Sequence, residues 1–261
     1  MRETISHSRI YARTLATGAL LACSLSLIPS AHAQGDSEKT TRVAATELGY
    51  TFAYTYPARV AADPAVAARL KADVDMFRTQ LKAVAKDDRQ ELARNASERA
   101  PVSLSTQWAV EADTPVWLSL SGKTDVNIGS VHGATTFTSL LWDKAGKRDH
   151  PTEWLFTSSQ ALETALQPAL CDELDRERAK RRGAPVVRDP KDWATSCLTM
   201  RETLPVLASS DGVRFDRIRI LIAQYIAGPS SEGPYELTLP VTAAVLSAVK
   251  PEFKEAFAAG R

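Results

Sequence analysis

The chain has 261 residues, 44% of them hydrophobic, with 32 lysines and arginines against 31 aspartates and glutamates. That length allows one or two domains. A net charge of +1 supplies no concentrated basic surface, which argues against nucleic-acid binding.

Met1–Arg13 carries Arg2, Arg9 and Arg13, Leu15–Ile28 is apolar, and Ala31-His-Ala33 is a small-x-small sequence. This is the pattern of a secretory signal peptide, too short and wrongly flanked for a membrane span. Cleavage after Ala33 predicts a periplasmic chain that starts at Gln34. Leu20-Leu-Ala-Cys23 leaves a second route open, since it resembles a lipobox in which Cys23 is lipidated. Removing residues 1–33 takes away three arginines and one glutamate, leaving 29 basic and 30 acidic residues. No later apolar stretch reaches the roughly 20 residues a bilayer requires.

The same cleavage leaves two cysteines, Cys171 and Cys197. An even pair in an exported chain predicts one disulfide, with two unpaired buried thiols as the alternative. Closing a loop of that size stabilises a fold by about 3–4 kcal/mol in the chain-entropy view.

Residues 34–46 are polar and uneven, and are read as a flexible leader to a single domain over 47–261. Leu48–Tyr56 is rich in aromatics and predicts a strand that Pro57 ends. Asp63 is placed to cap a helix with Pro64 at its first position. Val66, Leu70, Val74, Phe77, Leu81 and Val84 then recur at helical spacing. Asp87–Arg99 is charged and either extends or breaks that helix. From Val102 the period becomes two: Leu104, Thr106, Trp108 and Val110 alternate, as do Val116, Leu118 and Leu120 after the turn signal Asp113-Thr-Pro115. Phe137, Ser139 and Leu141 continue the pattern after a bend around His132, and Asp143–Lys147 is hairpin-like. An antiparallel meander with one buried face is expected.

Ser159–Arg182 predicts a second helix with Leu162, Leu166, Leu170 and Leu174 on one side and Gly183 as its stop; Pro168 either kinks it or sits near its first turns. Its basic run Arg176–Arg182 is expected to complement the negative end of the helix dipole. Residues 186–208 look irregular. Phe215–Ile222 and Tyr235–Leu239 predict strands, and Thr242–Phe257 is helical in character. The order predicts an α+β fold: a mostly antiparallel sheet, meander plus edge strands, packed against two to three helices.

Catalytic chemistry finds little support. His132 and His150 are the only histidines left after cleavage, too few for a zinc site without carboxylates at a recognisable spacing. There is no GxSxG elbow and no phosphate-cradling glycine loop. Glu232 and Glu236 could flank a glycan as paired carboxylates, but among 30 acids two neighbours are expected to be solvated loop and strand-edge groups. No catalytic residue, metal or cofactor is assigned.

Two segments carry a family resemblance. The first is Gly129-Ser-Val-His132-Gly133 followed by Phe137–Asp143 and Ala145-Gly-Lys147. The second runs from Ile222-Ala-Gln-Tyr225 through Gly228 to Glu232-Gly-Pro-Tyr235 and Pro240. Together they resemble an extracytoplasmic domain family of unknown function. It includes the lysozyme-binding ectodomain of RsiV-type anti-sigma factors and domains found beside peptidoglycan deacetylases. Ser130 replaces a usual glycine, and the Cys171–Cys197 segment is longer than in that family. Without a sigma-binding segment, membrane helix or deacetylase domain in the sequence, neither an anti-sigma role nor deacetylation carries over.

The resemblance implies a non-enzymatic envelope recognition domain, with a lysozyme-like hydrolase or the peptidoglycan glycan as partner. Tyr225, Glu232 and Tyr235 are its candidate contacts: Tyr offers a rigid face with a polar tip, and an acid suits a cationic partner. His132 is expected either to brace its glycine-flanked bend or to touch the ligand. The alternatives are a cell-wall hydrolase or esterase using Glu232 and His132, and a passive assembly protein.

Overall fold

A computed structural model describes residues 39–47, 49–95, 102–128 and 133–260. The expectations for residues 1–33, Cys23 and His132 lie outside the described residues.

The chain begins with a hairpin of β1 (Thr40–Glu47) and β2 (Tyr50–Pro57), paired antiparallel from Thr40↔Pro57 to Glu47↔Tyr50. From Thr40 on, this strand replaces the flexible leader expected over 34–46, of which residues 34–38 lie outside the described residues. The segment has little apolar content of its own, but Val43 and Ala45 pack on the core once β2 supplies the hydrogen-bonding partner. Pairing, not hydrophobicity, makes β1 a strand.

The aromatic alternation of β2 sends Tyr50, Phe52 and Tyr54 inward. A long helix, α1 (Pro64–Asn95), then covers them, started as expected by Asp63, whose Oδ1 accepts from Ala65 N at 2.8 Å. The charged segment after Asp87 therefore extends the helix as far as Asn95. The chain returns in β3 (Val102–Asp113), which runs parallel to β2 from Tyr50↔Val102 to Thr55↔Gln107. A parallel pair needs a crossover of a dozen or more residues, and α1 is that crossover.

β4 (Trp117–Asn127), β5 (Ala134–Asp143) and β6 (Arg148–His150) complete the meander and a six-stranded sheet ordered β1 to β6. Its turns are the predicted ones. Trp117 N donates to Thr114 Oγ1 at 3.0 Å, and Asp143 Oδ1 accepts from the backbone of both Ala145 and Gly146 at 2.9 Å.

One expectation fails here, because the meander is buried on both faces. Leu118, Leu120, Leu140 and Trp142 pack with Val66, Leu70 and Val74 of α1, whereas Trp117 and Leu141 belong to a second core. The small serines 119 and 121, also buried, disguise that second face as polar. Ser121 donates to the Glu111 carboxylate, so its burial leaves no unmet hydroxyl.

The second core is built by α2 (Ser159–Arg182) and a three-stranded antiparallel sheet, β7 (Leu204–Ala208), β8 (Arg217–Ile222) and β9 (Tyr235–Pro240). Ser158 caps α2, Gly183 ends it at φ 69°, and it runs through Pro168 as one helix. Leu162, Leu166, Leu170 and Leu174 meet Ile218, Ile220, Ile222, Leu237 and Leu239. β7 was not foreseen within the irregular stretch, and it lies against β3, β4 and β5. The helical tail divides into α3 (Ala243–Ala248) and a 3-10 turn, Pro251–Ala256, because Pro251 prevents continuation. The fold is α+β.

Candidate functional site

Two regions gather polar and aromatic side chains. The first is the loop between β8 and β9, which holds three of the candidate contacts, and it is fastened from below by the basic end of α2. Arg178 is fully buried. Its Nε and Nη2 donate to Ala227 O at 3.0 and 2.8 Å, and its Nη1 donates to Ser196 O at 2.8 Å. One helical turn on, Arg182 grips Glu232 with two parallel bonds of 2.8 and 2.9 Å and also donates to Ala194 O. Arg181 lies over the Tyr235 ring at 3.7 Å and donates to Pro234 O. Cys171 and Cys197 form the expected disulfide, with Cα atoms 5.2 Å apart. It anchors the strand of chain whose Ser196 carbonyl Arg178 holds.

Arg178, Arg181 and Arg182 of the basic run therefore form an internal clamp, while Arg176 and Lys180 stay exposed and pair with Glu173 and Glu177. The signal was available: 162, 166, 170, 174, 178 and 182 form one unbroken series of fours, so Arg178 and Arg182 continue the buried leucine stripe. Glycine serves this packing directly. A Cβ on Gly228 would run into the Glu232 carboxylate, and Gly233 sits at φ 68°, where only glycine is relaxed.

Within this loop the candidate contacts divide. Tyr235 is completely buried, and its hydroxyl donates to Glu232. Burial would push the Glu232 carboxyl up, but the hydrogen bonds from Arg182 and Tyr235 outweigh it and hold it below the ordinary carboxylate range. Burial, reinforced by that carboxylate, pushes the Tyr235 phenol up to about 12. Glu236 stands apart from Glu232, bridging Lys123 and Arg219 at 3.2 and 2.7 Å.

Tyr225 alone faces solvent, 45% exposed. It occupies the third position of a turn closed by Ile226 N donating to Ala223 O, at φ 73°, a place that favours glycine. Its neighbour Gln224 exchanges hydrogen bonds with Thr135 through Gln224 N→Thr135 O and Thr135 N→Gln224 Oε1. The loop is thus tied to the start of β5, just beyond His132.

The second region is a groove of about 510 Å³ that no sequence motif marked. It is assembled from five places in the chain: the Thr114–Trp117 turn, Asp143, Trp154, Val213–Arg214 and Glu252–Ala256. Trp117, Trp154 and Phe253 supply aromatic surface, with centroids 4.7 Å apart for Trp154–Phe253 and 6.1 Å for Trp117–Phe253. Val116 and Val213 stand at its edge half exposed, at 50% and 56%. His150 stacks on Trp154 at 3.9 Å. Its Nε2 is buried without a partner among the described residues. Burial, helped by Arg148, lowers the His150 pKa and so favours the neutral ring. Among the described residues neither Glu252 nor Glu255 makes an ion pair, while Arg214 acts electrostatically on Asp211.

Among the described residues no group of three or more His, Cys, Asp or Glu is placed to hold a metal ion, and no helix is long and apolar enough to cross a membrane. No protein-family model matches the sequence, and no curated protein matches it. Solved structures do. One is a DUF3298 family member from Bacteroides fragilis, with 15% identity over 78% of this chain and 90% of its own and a TM-score of 0.48. Another is a DUF3298 family protein from Pseudomonas aeruginosa, with 18% identity over 87% of this chain and 99% of its own and a TM-score of 0.43.

Proposed function

We propose that this chain is an exported, non-enzymatic recognition domain of the cell envelope, and that it binds the sugar chain of the wall glycan in the aromatic groove. The observation that carries the reading is the joining of Trp117, Trp154 and Phe253 with unpaired polar groups in one open cavity. Ligand sites combine an apolar lining with a few convergent polar groups at about this size. The C–H face of a pyranose lies well on an aromatic ring, while carboxylates accept from its hydroxyls. Export rests on the signal pattern of Met1–Ala33, and N-terminal sequencing of the mature protein distinguishes Gln34 from a lipidated Cys23.

A hydrolytic reading built on Glu232 gains nothing from the geometry. A general acid must hold a proton near neutral pH, and Glu232 is kept ionised by Arg182.

The test is titration calorimetry of the mature chain against soluble wall-glycan fragments, with a lysozyme-type hydrolase titrated in parallel. Glycan binding that Trp154→Ala weakens by at least about tenfold, as for an aromatic anchor, supports the proposal. Binding to the hydrolase alone would reassign the partner to a protein, and silence with both would remove the reading.

A further inference from the structure

Glu252 and Glu255 lie on the 3-10 turn Pro251–Ala256. That helix has three residues per turn, so side chains at i and i+3 eclipse. Both carboxylates therefore leave the same side of the segment, and both line the groove that Phe253 also lines. Of the charged groups facing this cavity, three are carboxylates, Asp143, Glu252 and Glu255, and one is a guanidinium, Arg214. Asp143 is engaged with the backbone of its own turn. Glu252 and Glu255 are engaged with nothing among the described residues, although lysines 250 and 254 stand on either side of Phe253 in the sequence.

The rings themselves already face a cation of the chain. Aromatic faces attract cations within about 6 Å of the centroid. Here the chain's own Lys250 ammonium lies 5.1 Å from Trp154 and 5.9 Å from Phe253, so a ligand's cation is left to the carboxylates.

We infer that the groove selects a sugar unit carrying a free, protonated amine over its neutral N-acylated counterpart, with Glu252 and Glu255 taking the ammonium beside the aromatic surface. This rests on the glycan reading of the same groove and specifies its ligand. An N-acyl group replaces the cation by a neutral amide, which offers the two carboxylates no charge from the ligand. An ammonium satisfies them. The site is open, so the discrimination is moderate and sensitive to salt.

The test compares glucosamine and N-acetylglucosamine oligomers of equal length by calorimetry on the mature chain at about pH 6, where an amine of this kind is protonated. The expected result is about fivefold tighter binding of the glucosamine oligomer, in keeping with one or two exposed ion pairs. The preference should disappear in high salt and in the Glu252→Gln/Glu255→Gln double variant, to which the two oligomers bind equally. Asp87→Asn, on the exposed side of α1, serves as a control for general charge. Equal or tighter binding of the N-acetylated oligomer overturns this inference and leaves the glycan reading standing. Loss of the preference in Asp87→Asn overturns it too, by showing diffuse attraction. No binding of either oligomer overturns both.

Discussion

The clamp under the β8–β9 loop and the aromatic groove contain the same kinds of side chain, arginine, carboxylate and aromatic ring, in opposite states. In the clamp every charge is matched. Arg178 is enclosed by carbonyls, Arg182 and Glu232 bond bidentately, and Arg181 covers Tyr235. In the groove Glu252 and Glu255 stand exposed beside partly buried aromatic rings and form no ion pair among the described residues. Buried charge is tolerated only when paired, so the clamp belongs to the fold. Open, unmatched charge beside an apolar cavity costs the fold little and remains available to a ligand. Chemical type alone would have nominated the clamp.

Breaking the clamp should cost stability and spare groove binding. Arg178→Ala strands the carbonyls of Ala227 and Ser196 and opens a cavity, and is expected to lower unfolding free energy by about 3–5 kcal/mol. Glycan affinity measured well below the melting temperature should not change. A loss under about 1 kcal/mol in urea titration would mean that the clamp is not structural. Replacing Cys171 and Cys197 by serine removes the tether beside Ser196 and should cost about 3–4 kcal/mol, read in the same way.

A smaller effect tests Glu232. Its carboxyl titrates below the ordinary range in the folded state, so between the two values the unfolded chain binds more protons. The stability it contributes is complete above the ordinary carboxylate range and is lost as pH falls through the depressed folded value. Urea unfolding between about pH 5 and pH 3 should show a shallower acid loss in Glu232→Gln than in the natural chain. Equal slopes would separate Glu232 from Arg182 in solution. The smallest change is expected at Tyr225. Glycine relieves the positive φ of that turn position but loosens the unfolded chain, so Tyr225→Gly should leave stability the same or raise it by up to about 1 kcal/mol. A clear drop in melting temperature would show that Tyr225 supports the loop and is not simply displayed by it.

Much of the fold was legible because its signals are local. Asp63-Pro64 begins α1, Ser158 and Gly183 bound α2, and Asp113–Pro115 and Asp143–Lys147 turn where the residue types require. β1 was not legible, since an edge strand with few apolar residues takes its structure from the neighbour that pairs with it. The two-sided burial of β4 was hidden by Ser119 and Ser121, small polar residues of which Ser121 meets its partner, Glu111, on the neighbouring strand. Of the candidate contacts, Tyr225 is displayed, whereas Tyr235 and Glu232 face inward. Nothing in their sequence neighbourhood distinguishes the two outcomes, which depend on Arg181 and Arg182 some fifty residues earlier.

By itself the sequence determined the α+β class, the order of most elements and the cysteine pair, because periodicity, capping and turn chemistry act over a few residues. Only the tertiary structure decided that the basic end of α2 is an internal clamp, and that Trp117, Trp154 and Phe253 meet around a cavity. A groove drawn from five separated segments leaves no mark in any one of them. Its residues become a site only when burial of the second core brings their backbones together.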